Sequence, residues 1–243
     1  MAAAYDGVMW SRRLAAAGCA ASLASIVVAC GGGSGTTPTP TAPHTATPTA
    51  APTPDNQTVS VVTTGVGAWQ LVAIPVAVLH NNAAHHGAAA VVVHFTTHAN
   101  GGTLGSLDSE AVNLAPGETL PVAADCTDGC NDATSTDATV SVGNWTTSSG
   151  ASVTTAAGTY QCGTGACGGG HGQGSVSGSL AATRLAADTS IVAFAACTDA
   201  GGAIVGAGVT QSVWPGGTTA TVRVPVIVNA NPTGCQLGAS AGW

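Results

Sequence analysis

The sequence predicts an all-β fold, two tandem small antiparallel β-sandwich domains that follow an exported leader and a disordered linker. Three observations carry this expectation. Beyond residue 55 the chain is dominated by Val, Thr, Ser, Gly and Ala; branched side chains suit a pleated strand, and frequent glycines supply turns. Strand-like runs are separated by turn signals at Gly101-Gly102, Gly201-Gly202, Pro116-Gly117 and Pro215-Gly216. The chain also repeats itself, since Val91 to Leu104 and Ile191 to Ile204 both read as strand, Gly-Gly turn, strand.

Residues 1–29 read as the leader. Arg12 and Arg13 precede an Ala-rich apolar stretch from Leu14 to Ala29, too short to be read as a membrane span. The stretch ends in Val27-Val28-Ala29-Cys30, with Gly31-Gly32-Gly33 directly behind it. Charge, apolar run, small residue and cysteine in this order resemble the lipobox of bacterial lipoproteins. The resemblance implies lipidation of Cys30: diacylglyceryl transfer to its sulfur, cleavage before it, and an exported protein held by lipid in the bacterial cell envelope, at the outer membrane or cell surface. Several acyl chains at about 0.8 kcal/mol per methylene would make such an anchor permanent. An ordinary secretory peptide cut elsewhere, with Cys30 an incidental thiol, is the alternative. Met9 is a second possible start, and Ser11-Arg12-Arg13 carries only a trace of the twin-arginine signal.

Residues 30–55 hold Gly, Ser, Thr, Pro and Ala with almost no large apolar side chain. Such a segment has nothing to offset the entropy of ordering, and its Thr-Pro pairs favour an extended habit, so a disordered tether is expected.

The two sandwich units are expected at 56–137 and 138–238, with 239–243 as a tail. Besides the Gly-Gly echo, Leu114-Ala115-Pro116-Gly117 matches Val213-Trp214-Pro215-Gly216, and Thr58-Val59-Ser60-Val61 recurs as Thr139-Val140-Ser141-Val142. Pro75 and Pro225 stand inside strand-like runs, which places those strands at an edge or a bulge. Strand, Asp-x-x-Gly turn at Asp199 to Gly202, strand and Pro-Gly resemble the FxLYD-type domains of bacterial envelope proteins, small immunoglobulin-like sandwiches. The naming motif is degenerate in both copies: Phe95 is followed by Thr97, His98 and Ala99, and Asp199 is preceded by Ala195, Cys197 and Thr198. The resemblance implies no general catalytic activity.

Charge excludes some partners. There is no lysine, and Arg184 and Arg223 are the only arginines beyond the leader. Two scattered cations cannot neutralise a run of phosphates, so nucleic-acid binding is not expected.

Six cysteines follow Cys30, an even number in an exported chain, which favours disulfides. Cys126 and Cys130 bracket a short loop, as do Cys162 and Cys167, leaving Cys197 and Cys235 to join across the second sandwich. Their spacings do not form paired zinc knuckles.

His80, His85, His86, His94 and His98 form the one cluster with metal-ligating chemistry. A hairpin closed after Asn81 would oppose His80 and His94, with His85 or His86 leaning in, an arrangement suited to copper or zinc. His94 and His98 share a strand face but stand about 13 Å apart by strand rise. Asp125, Asp128 and Asp132 flank the Cys126–Cys130 loop without the spacing of an EF-hand. Gly163 to Gly168 satisfies G-x-G-x-x-G with no helix to follow, and Gly238 to Gly242 satisfies G-x-S-x-G at the end of the chain. Trp69 and Trp145 are carbohydrate platforms or core residues. The sequence therefore points to a non-enzymatic envelope lipoprotein that binds, adheres or scaffolds through a protein or glycan partner. A copper- or zinc-binding lipoprotein using His80, His85, His86 and His94 is the alternative.

Overall fold

The structure is a computed structural model that describes residues 55–126, 130, 132–147, 150–163 and 170–241. The expected leader and nearly all of the expected tether, including Cys30, lie outside the described residues, as do Asp128 and Cys167.

Every regular element among the described residues is a strand, as the composition predicts. The first seven are β1 (Val59–Trp69), β2 (Val72–Asn81), β3 (Gly87–Ala99), β4 (Gly102–Asp108), β5 (Val112–Leu114), β6 (Thr119–Ala123) and β7 (Ser135–Thr146). They form two sheets, β1-β2-β6 and one in which β3 is flanked by β4 and β5 on one side and β7 on the other. The remaining strands are β8 (Ser152–Val153), β9 (Ala156–Cys162), β10 (Gly172–Thr183), β11 (Ser190–Thr198), β12 (Ile204–Val213), β13 (Thr219–Val228) and β14 (Gly234–Ala241). Here β13-β12-β11-β14-β9-β10 close into a ring through the β10–β13 pairing.

The pairing order recurs along the chain. The middle strand β2 lies between β1 and β6, as β10 lies between β9 and β13; β3 lies between β4 and β7, as β11 lies between β12 and β14. Register follows the same offset: His94 is opposite Asp108 and Thr139, and Phe194 is opposite Val209 and Gly238. The Gly-Gly echo therefore falls at like places in the pairing, between β3 and β4 and between β11 and β12. The Thr-Val-Ser-Val echo does not. Val59 to Val61 pair with β2, whereas Thr139 to Val142 pair with β3, and the counterpart of 139–142 is Gly238 to Ala241. The expected boundary at 137/138 rested on that echo and cuts β7 after its third residue, although the whole of β7 pairs with β3.

The halves are packed together, and the described residues belong to one compact unit. Strands β11 and β12 lie against β1, β2 and β6. Phe194, Ala196, Ile204, Ala207 and Ile227 join Ile74, Val76, Val78 and Leu79 in one apolar cluster. A second cluster, with Leu180, Ile191, Trp214, Val224 and Leu237, fills the ring. Strands β2 and β11 are consequently covered on both faces, which is why they read as nearly continuous apolar runs rather than alternating ones. The close approach requires glycine: a Cβ on Gly67 would sit 2.2 Å from the Ile227 carbonyl oxygen and 2.6 Å from the Ala207 nitrogen. Polar clips add register, with Asn229 Nδ2 donating to the Val66 carbonyl at 3.0 Å and Asn113 Nδ2 donating to the Ala241 carbonyl at 2.9 Å.

The turns follow their chemistry. Asn100 and Gly101 both have positive φ, 50° and 78°, as a tight two-residue hairpin requires. Asp199 Oδ1 accepts from the Gly201 and Ala203 nitrogens, fixing the equivalent hairpin. Pro75 is on a middle strand rather than an edge, but it lies one residue past the end of the β6 ladder, where Ala124 N donates to its carbonyl. Pro225 likewise falls beyond the short β12–β13 ladder. Each proline is nevertheless inside the ladder on its other side, Pro75 opposite Val66 and Pro225 opposite Ser175; the Ala124 bond to the Pro75 carbonyl puts that residue's absent N–H on the β6 side, where the ladder has ended.

Cys126 and Cys130 are bonded, as are Cys197 and Cys235. The second bridge does not cross between sheets as expected: the two cysteines are directly opposite on β11 and β14, with Cα atoms 4.0 Å apart. Cys162 is also disulfide-bonded.

Candidate functional site

Strand β3 alternates strictly from Val91. Val91, Val93, Phe95 and Thr97 are buried, while Val92, His94, Thr96 and His98 face outward. Both outward histidines meet a carboxylate and a hydroxyl from neighbouring strands. His94 Nδ1 lies 2.7 Å from Asp108 Oδ1 on β4, and its Nε2 lies 3.0 Å from Ser141 Oγ on β7. His98 Nε2 lies 3.1 Å from Asp137 Oδ2 on β7, with Nδ1 at 3.4 Å from Thr103 Oγ1 on β4. Thr96 and Ser106 approach each other between the two groups at 3.4 Å. The outer face of β4-β3-β7 is thus a continuous platform of imidazole, carboxylate and hydroxyl.

The Ser141 hydroxyl, the His94 imidazole and the Asp108 carboxylate are thus linked in line through these two contacts. This is the order serine, base, orienting acid used for nucleophilic catalysis. The surroundings differ from those of an acyl-transfer site. The His94 and Asp108 side chains are 44% and 63% exposed. They stand on an open pleat, where water competes for every hydrogen bond and no wall excludes it. Such a surface is suited to exchanging hydrogen bonds with a polar partner.

The other predicted ligands are dispersed. His80 and His94 do not oppose each other, because β2 and β3 belong to different sheets and the chain crosses between layers after Asn81. His80 Nδ1 meets Thr119 Oγ1 at 2.9 Å. His86 Nδ1 meets Asp55 Oδ2 at 2.5 Å, and the same carboxylate accepts from the Ala84 and His85 nitrogens. The His86 hydrogen bond, assisted by those backbone donors, holds the Asp55 carboxyl below its ordinary range. Among the described residues no three His, Cys, Asp or Glu side chains converge as a metal site would need, so His80, His85, His86 and His94 are not brought together.

Sequence reasoning missed Glu118. It lines a cavity of about 370 Å³ with Pro116, Thr119, Val153, Thr155 and Gln236. Burial pushes its carboxyl up to about 7, although Ala115 N donates to it at 2.5 Å. The only signal was a lone acid directly after a Pro-Gly turn. Trp214 forms only part of an echo in the sequence, yet it is the largest fully buried side chain among the described residues, its Nε1 donating to the Gly217 carbonyl at 3.2 Å. Trp69 and Trp145 are half-buried at the margin of the first cluster. Ser240, the serine of G-x-S-x-G, lies in β14 and accepts from Asn113 N at 2.8 Å, so that segment is a strand with no elbow.

No family model matches the chain, and no curated protein matches it.

Proposed function

We propose that this chain is a lipid-anchored bacterial envelope protein that binds rather than catalyses, displaying two serially duplicated β units of the FxLYD-like kind, a two-sheet sandwich at 59–146 and a six-strand sheet closed on itself at 156–241. Its lipid would sit on Cys30, its membrane contact would be that lipid, and its partner would be a protein or glycan met on the β4-β3-β7 face. The lipobox order around Cys30 supports the anchor, and disulfides at Cys126–Cys130 and Cys197–Cys235 agree with an oxidising compartment.

One contrast carries the binding reading. The outward positions of β11 hold Val192, Phe194 and Ala196 and lie against the first half, whereas the equivalent positions of β3 hold Val92, His94 and Thr96 and face water. A face that only had to be soluble needs no ordered His-Asp-hydroxyl groups, and a second docking face would be apolar. Pull-down of envelope glycans and proteins with the chain immobilised tests the reading: binding lost in both H94A and H98A, with the fold retained, supports it, and unchanged binding refutes the assignment of the face. Mass spectrometry of the membrane fraction tests the anchor, which requires a diacylated peptide beginning at Cys30.

A second reading, ester hydrolysis, is favoured only by the Ser141–His94–Asp108 order. It requires turnover of an activated acetyl ester that S141A abolishes.

A further inference from the structure

We infer that the cavity between the Pro116-Gly117 turn and residues 152–155 binds a primary ammonium group on a short aliphatic stem, with Glu118 as its counter-ion. Ala115 to Thr119 line one side of the cavity, and Ser152 to Thr155 with Gln236 of β14 line the other. Its volume of about 370 Å³ lies at the small end of the roughly 300–1,000 Å³ usual for small-molecule sites. It shares no residue with the β4-β3-β7 face and does not depend on that face having a partner.

Two half-buried polar side chains in the lining are uncommitted. Among the described residues the Glu118 carboxyl receives one hydrogen bond, from Ala115 N to Oε2, and no donor reaches Oε1. The one sealed side-chain atom without a partner among the described residues is Ser175 Oγ, so Glu118 Oε1 opens on the cavity rather than on packed protein. The Gln236 carboxamide likewise has no hydrogen bond among the described residues. Thr155 commits its hydroxyl proton to the Thr119 carbonyl at 2.5 Å and keeps its lone pairs.

This chemistry narrows the occupant. A carboxylate oxygen, an amide oxygen and a hydroxyl lone pair are three acceptors, and an ammonium carries three donors. No Lys, Arg or His lines the cavity, so an anion finds no counter-charge there. A metal ion needs several converging ligands, and among the described residues no three His, Cys, Asp or Glu converge. Pro116, Val153 and the threonine methyls give the stem an apolar wall.

The lining by itself disfavours the carboxylate. Burial raises the Glu118 carboxyl to about 7 against the pull of the Ala115 N–H, and no other group moves it. The titratable groups on the neighbouring elements are His80 of β2, whose Nδ1 meets Thr119 Oγ1, and Arg184, just past the end of β10 that pairs with β8. An incoming ammonium supplies the positive charge that the lining lacks, so its binding ionises Glu118 and releases the carboxyl proton to solvent. Affinity therefore rises with pH through about 7 and levels off above it.

Calorimetric titration of the purified chain with butylammonium chloride, 1-butanol and Nα-acetyl-lysine amide tests this. Butylammonium is expected to bind at least about tenfold more tightly at pH 8 than at pH 5.5, 1-butanol not to bind, and E118Q to lose butylammonium at both pH values. At pH 6.5, titration of the parent in two buffers of different ionisation enthalpy must show proton release, and this decides the matter if E118Q does not fold. Once butylammonium binds, uptake of the lysine amide with the same pH dependence supports a lysine side chain presented by a partner, and its exclusion supports a free amine. Equal affinity for 1-butanol, affinity unchanged by pH, or butylammonium binding retained in E118Q overturns the proposal. So does the absence of butylammonium binding at every concentration.

Discussion

His94 and Phe194 occupy equivalent places, each at the centre of the middle strand of a three-strand pairing, yet one is half-exposed and the other is fully buried. The backbone presents them in the same way. What differs is the covering: the Phe194 face lies against β6 and packs in one cluster with Val76, Val78 and Leu120, and the His94 face lies against solvent.

From this pair comes a prediction about stability. Phe194→Ala removes a large side chain from the packed seam and is expected to cost about 3–5 kcal/mol, while His94→Ala stays within about 0.5 kcal/mol of the parent. Urea unfolding of both variants checks the difference. Equal costs would mean that the seam does not hold the halves together.

Gly67 tests the same seam from the other side. With no room for a Cβ between Ile227 and Ala207, Gly67→Ala must push backbone apart and is expected to cost about 2–3 kcal/mol. Gly101→Ala meets nothing within 4 Å but carries a φ of 78°, so it should cost about 1 kcal/mol from backbone strain alone. Thermal unfolding of the two variants ranks them.

The disulfides should contribute unequally. Closing the 38-residue separation between Cys197 and Cys235 is worth about 4 kcal/mol in the chain-entropy picture, against about 2 kcal/mol for the 4-residue separation of Cys126 and Cys130. Paired Cys→Ser variants, compared by denaturant midpoint, should follow that order.

Glu118 gives the chain a pH dependence of known sign. Its carboxyl is raised from 4.5 to about 7 in the folded state, so the folded protein holds the proton more tightly than the unfolded one. Stability from this group is therefore complete below about pH 4.5 and declines as pH rises toward 7. The group is only half-buried, and screening limits the loss to no more than about 2 kcal/mol. Glu118→Gln should abolish that decline and be more stable than the parent at pH 8, as measured by urea unfolding across pH. A parent whose stability rises from pH 5 to 7 while Glu118→Gln stays level would reverse the sign of the argument.

Much of the local structure was legible because it is local. Valine and threonine runs, the Gly101 and Gly202 turns and the Pro116-Gly117 turn act through their own φ preferences, and each falls where the sequence puts it. The Cys126–Cys130 bridge closes over a few residues and needs no partner from afar. The histidines failed as a cluster for the opposite reason. Nineteen residues hold five of them, but the chain changes sheets after Asn81, and closeness in sequence became separation in space. The Thr-Val-Ser-Val echo misled because four alternating residues suit any half-exposed strand, so the match reports a shared surface pattern and not a shared position.

By itself the sequence determined that the chain is built of strands and where several of them turn. Tertiary structure alone decided which face of each repeated strand is buried, that β7 completes the first half, and that His94 finds Asp108 and Ser141. The reason is the two-residue period of a strand. Alternation tells which residues share a face, but whether that face meets water or another sheet depends on long-range packing that no local pattern encodes.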